Sequence, residues 1–84
     1  MRVVDTIPHP QISIQIFHMN DKYLVKFEAG PMEQVFKFRT DQVAGLQEVK
    51  NKIDQKFIEE VIARFHQMKN QLAISLSSSN SKSE

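Results

Sequence analysis

The chain has 84 residues, a length that suits one domain with a small core. Its 40% apolar and 25% charged residues are typical of a globular protein, and a net charge of +1 indicates no particular class of charged partner. The absence of cysteine excludes disulfides, thiolate zinc sites and a cysteine nucleophile. No segment has the apolar run of a signal peptide or the roughly 20 apolar residues of a membrane span, so we expect a cytoplasmic protein without membrane contact.

Residues 1–10 are predicted to form an N-terminal arm. Pro8 and Pro10 flank His9, and each proline favours extended backbone in the residue before it. Val3 and Val4 could add an extra edge strand to a sheet formed by the residues that follow.

Residues 11–40 predict a three-stranded antiparallel meander. Isoleucine and polar residues alternate along 11–19, as in a half-buried strand, and Asn20-Asp21 and Gly30-Pro31 have the composition of two-residue turns. These turns pair Met19 with Lys22 and continue the register without a slip. One face then collects Ile14, Ile16, Tyr23, Val25, Phe27, Phe36 and Phe38. A slip of one residue would scramble this sorting, so the register is well specified.

From Asp41 the apolar residues recur at steps of three and four, which predicts an amphipathic helix as far as residue 76. Thr40 or Asp41 could cap its start. Gly45 is unfavourable inside a helix by about 1 kcal/mol, so the helix could begin only after it. Asn51 and Asp54 offer a second start, which leaves a continuous helix and one broken near residues 50–54 as alternatives.

The fold class is therefore α+β in the order β-β-β-α, with residues 11–76 forming the domain. The final segment, 77–84, is rich in serine and lacks apolar anchors. It is predicted to be a disordered tail.

The predicted helix is too long for the sheet. A nine-residue strand spans roughly 30 Å, whereas a helix from residue 41 to 76 would run about 54 Å. Its apolar face also widens from Phe57 onward, enough to contact two surfaces at once. This predicts a homodimer, or contact with another protein, through a partner face on the helix. That face comprises Phe57, Ile58, Val61, Ile62, Phe65, Met68 and Leu72.

The sheet face turned away from the helix mixes apolar and basic side chains. Such a face could bind single-stranded nucleic acid, with rings stacking on bases and cations following phosphates. It could equally contact another protein, or be an ordinary solvated face. The residues concerned are Gln15, Phe17, Leu24, Lys26, Val35, Lys37 and Arg39.

In outline, a meander closed by a long helix resembles the single-strand-binding coactivator and Whirly-type domains. Those are strand-rich units that end in a helix paired with another subunit. None of their residue motifs stands in this sequence, so the resemblance transfers no functional residue.

Catalytic, cofactor and metal sites are not expected. Ser13 lacks the glycine-flanked elbow of a hydrolase, and the two glycines are too far apart to form a phosphate-binding loop. His9, His18 and His66 do not have metal-ligand spacing. We therefore expect a non-enzymatic association module or accessory subunit, with single-stranded nucleic-acid binding as the alternative.

Overall fold

The computed structural model describes residues 2–81. A four-stranded antiparallel sheet, in the order β1-β2-β3-β4, carries two helices on one face, which makes the fold α+β. The strands are β1 (Arg2–Ile7), β2 (Ser13–Met19), β3 (Lys22–Ala29) and β4 (Met32–Arg39). The helices are α1 (Leu46–Lys52) and α2 (Gln55–Ser81).

The register predicted for the meander is confirmed. Met19 pairs with Lys22 across the first turn, and Val25 pairs with Phe36 between β3 and β4. Asn20 and Gly30 have positive φ angles of 49° and 60°. Tight turns of this kind require positive φ, and asparagine and glycine tolerate it better than other residues. The turn chemistry and the period of two therefore agree, and together they set the faces of the sheet.

The arm contributes a fourth strand at the edge of the sheet. β1 pairs with β2 from Arg2 opposite His18 to Ile7 opposite Ile14, so the extra edge strand proposed from Val3 and Val4 is present. Its register shifts between Val3 and Asp5. Irregularities of this kind are common in edge strands, where they hinder pairing with a strand of another molecule.

Residues 40–45 do not join a helix, and this corrects the predicted start at Asp41. The Thr40 N–H and hydroxyl both donate to the Asp21 carbonyl, at 2.9 and 3.1 Å, while Asp41 pairs with Arg39. Neither residue caps a helix. Gly45 has φ 154°, which is accessible mainly to glycine, and α1 begins immediately after it.

The break between the helices is one of the two alternatives that the sequence left open. Ile53 leaves helical geometry at φ −88° and ψ 67°, and its side chain is buried in the core. The Asp54 carboxylate then accepts a hydrogen bond from the Phe57 N–H at 2.9 Å. This is an N-cap contact, so Asp54, one of the two residues offered for a second start, begins α2.

The core lies between the sheet and the two helices. Strands β2 and β3 supply four side chains with no exposed surface, and both helices and the connecting segment close over them. Its buried members are Ile14, Ile16, Val25, Phe27, Val43, Val49, Ile53, Val61 and Phe65. Within residues 2–77, whose burial is described, every buried residue is apolar, so the core fixes the fold and offers no chemistry.

Helix α2 extends past the sheet. Its 27 residues span about 40 Å, against about 26 Å for an eight-residue strand. The longest dimension of the chain is 53 Å. The helix also continues to Ser81, so residues 77–81 of the predicted tail are helical, and residues 82–84 lie outside the described part.

Candidate interaction surface

The predicted partner face of α2 divides into a covered and an uncovered part. Val61 and Phe65 are 1% and 4% exposed, because they pack on the chain's own sheet. Three more members are half-buried against the core: Phe57, Ile58 and Met68. Ile62 is also half-buried. Leu72 is 39% exposed.

The apolar line of α2 continues beyond the sheet. At 100° per residue, Leu72 and Leu76 lie within about 20° of the direction of Phe65. Leu76 is 59% exposed, so burial along this line falls as the helix leaves the sheet. Ile74 is 67% exposed but points to the opposite side of the helix, which makes it an isolated surface residue.

A groove of about 440 Å³ lies where α2 passes the turn between β3 and β4. It is lined by Pro31, Met32, Glu33, Met68, Gln71, Leu72 and Ser75. Methionine and leucine supply its floor, and flexible methionine is suited to an adaptable contact surface. Pro31 and Met32 were not predicted as site residues, because only the path of α2 brings them beside Leu72.

A smaller cavity of about 220 Å³ lies on the other side of α2. Met32 and Phe65 contribute to it together with Ile62 and His66. Apolar surface is thus accessible on both flanks of the helix at the same end of the sheet.

A side-chain bridge holds α2 over β4. The Gln34 amide donates to the Val61 carbonyl at 3.0 Å, and Arg64 donates to the Gln34 side-chain oxygen at 3.1 Å. Gln34 lies on the helix-facing side of β4, between Met32 and Phe36. The bridge fixes where α2 crosses the edge strand and therefore where the groove lies.

The outer face of the sheet holds the residues predicted for it in neighbouring rows. Phe17 lies opposite Leu24, and Lys26 lies opposite Val35, which is 45% exposed. The Lys26 ammonium lies 5.5 Å from the centre of the Phe17 ring, a cation–π distance. The outer-face rows run from Glu28 and Glu33 at one end to Lys22 and Arg39 at the other. The outer face of the sheet is therefore acidic at one end and basic at the other.

An ion pair joins β1 to α1. The Lys50 ammonium lies 2.7 Å from the Asp5 carboxylate. This contact, supported by the Thr6 N–H, lowers the pKa of Asp5 below its ordinary value. The pair is open to solvent, so it orients the edge strand and contributes little energy.

The histidines stand apart from one another. His18 stacks at a tilt on Tyr23, with ring centres 4.9 Å apart, and the His9 Nδ1 accepts a hydrogen bond from the Gln11 N–H. His66 lies on α2 beside the smaller cavity. Among residues 2–81, no three histidine or carboxylate side chains come together as a metal site would require.

Neither helix in the described range, 2–81, combines the length and the apolar character needed to cross a membrane. Comparison with protein-family models, with curated proteins and with solved structures found no match to this chain.

Proposed function

We propose that the chain is a non-enzymatic self-association module, in which a second copy covers the groove and the uncovered line of α2. The observation that carries the proposal is the continuity of the apolar line: Phe65 is 4% exposed, Leu72 39% and Leu76 59%. Contiguous apolar surface that leads outward from a core is typical of interaction sites. Most soluble oligomers consist of identical chains, and two-fold dimers are the commonest of these, so we take the partner to be a second copy of the chain.

The charge pattern around the groove supports a like partner. Residues 65–77 carry one formal charge, on Lys69, and Glu33 is the one charged residue among those that line the groove. Two copies can therefore approach here without a cluster of like charges. A strongly acidic or basic partner would find little to pair with on this surface. The groove therefore suits a neutral, apolar contact of the kind found in homodimers.

Single-stranded nucleic-acid binding is the alternative function. It would use the outer face, where Phe17 is the single aromatic ring within residues 2–81 that points outward. Lys26 already lies over that ring, so a base would have to displace it before stacking. Glu28 and Glu33 also repel phosphates at one end of the face.

Sedimentation analysis of the purified chain over a wide concentration range tests the proposal. We expect reversible dimers at micromolar concentration. A chain that stays monomeric at every concentration would overturn it. The alternative would be supported by binding of an oligonucleotide whose affinity falls steeply with salt concentration. In Lys37→Ala or Arg39→Ala that dependence on salt should be less steep.

A further inference from the structure

We propose that the two copies join through strand β4, edge to edge and antiparallel, about a two-fold axis at Val35. The result is a continuous eight-stranded sheet. This inference rests on the proposed self-association and specifies its geometry. The two edges of the sheet, β1 and β4, differ in how they are protected.

The β1 edge is interrupted, whereas the β4 edge is regular. The register of β1 shifts between Val3 and Asp5. β4 pairs with β3 without a shift from Met32 to Arg39 and contains no proline. A regular edge of eight residues presents a row of backbone groups that another strand can pair with.

The backbone groups on the free side of β4 belong to known residues. A two-residue turn is flanked by a hydrogen-bonded pair, here Ala29 and Met32, and bonded and non-bonded pairs then alternate along the ladder. Val35 therefore belongs to a non-bonded pair with Lys26. Its N–H and C=O point away from β3, as do those of Glu33 and Lys37.

The charges along this edge are self-complementary. Two antiparallel copies centred on Val35 place Glu33 of each directly opposite Lys37 of the other. Within one chain the cross-strand neighbour of Glu33 is Glu28, a like charge that destabilises the pair. Arg39 is already bound to Asp41 at 2.8 Å, so Lys37 is the base that the partner offers to Glu33. Charged side chains on an edge strand usually discourage pairing with another strand. Here Glu33 and Lys37 lie on either side of Val35, so the antiparallel register sets opposite charges against each other and favours pairing.

The same register also fills the groove. It places Met32 opposite Phe38 of the second copy, and both side chains are on the helix-facing side of the sheet. Met32 lines the groove with Met68 and Leu72, so the incoming ring would lie beneath the uncovered part of α2. Pairing of one strand edge buries less surface than the roughly 800 Å² per partner that is usual in a stable complex. The contact of Phe38 with the groove adds to the buried area.

Engineered cysteines test the register. The chain has no cysteine, so Val35→Cys introduces a single thiol. Bonded antiparallel pairs have Cα atoms about 5.5 Å apart, within the range of a disulfide. We expect Val35→Cys to form a covalent dimer under mild oxidation. Val3→Cys is the matched control, because Val3 is 49% exposed and Val35 45%, but it lies on the other edge. Equal cross-linking of the two variants would overturn the proposed edge.

Charge exchange gives an independent test. Lys37→Glu sets two glutamates against two glutamates across the axis and should weaken the dimer about tenfold. Glu33→Lys should do the same, and mixing the two variants should restore affinity as a heterodimer. Lys26→Glu and Glu28→Lys, on the same face but one strand inward, are the control pair and should show no preference on mixing.

The outcomes separate the two proposals. A monomeric wild-type chain overturns both. A wild-type dimer in which Val35→Cys does not cross-link and charge exchange has no effect overturns the edge pairing alone. The self-association then stands, with a different geometry.

Discussion

Replacing Leu72 by alanine should weaken self-association by a predictable amount. Burying a whole leucine side chain is worth about 1.5–3 kcal/mol. The 39% of Leu72 that is still exposed in one copy corresponds to about 0.6–1.2 kcal/mol on covering by a partner. A symmetric dimer buries two such side chains, so Kd should rise roughly 10- to 50-fold. Alanine favours helix, so α2 should remain intact.

Sedimentation equilibrium measures this change, and Ile74→Ala is the matched control. Ile74 is on the same helix and 67% exposed, but it points away from the groove. It should leave Kd unchanged. Urea unfolding of both variants separates association from stability, because the covered part of Leu72 should also contribute about 1–2 kcal/mol to folding. An unchanged Kd for Leu72→Ala, or an equal effect of Ile74→Ala, would refute the reasoning.

Three further predictions concern the fold. Asp54→Ala should lower the free energy of unfolding by about 1 kcal/mol in urea because it removes the cap of α2, whereas Asp54→Asn should retain most of it. Gly45→Ala should destabilise by more than about 1 kcal/mol, since φ 154° strains any residue with a Cβ; no change in the urea midpoint would contradict this. The lowered pKa of Asp5 means that its pair with Lys50 stabilises the fold above the unfolded pKa of about 3.9 and is lost as the pH falls through the folded value. Acid titration of stability should therefore be shallower in Asp5→Asn than in the wild type.

The meander could be predicted residue by residue because two local signals agreed. Alternation in 11–19 assigned the faces, and the turn at Asn20 set the pairing between strands. Gly45 and Asp54 were among the candidates for the two helix starts, and each has a local conformational reason to stand there. Information of this kind is contained in a few neighbouring residues.

Features that depend on tertiary contacts were harder to predict. Thr40 and Asp41 are good capping residues, but hydrogen bonds to Asp21 and Arg39 hold them in a turn. The partner face could be read from helical periodicity, yet periodicity does not say where the sheet ends. Val61 and Phe65 are therefore core residues, although their spacing matches that of Leu72. Gln34 and Met32 acquire their roles only from the path of α2.

The most direct test of self-association at the groove is an isotope-filtered NMR experiment on a mixture of labelled and unlabelled chains. It detects contacts between protons of different copies. We predict contacts from the Leu72 and Met68 methyl groups of one copy to protons of the other, and the edge pairing through β4 places the Phe38 ring among them. A dimer whose intermolecular contacts instead come from Phe17 and Leu24 on the outer face, or a sample with none, would contradict the account.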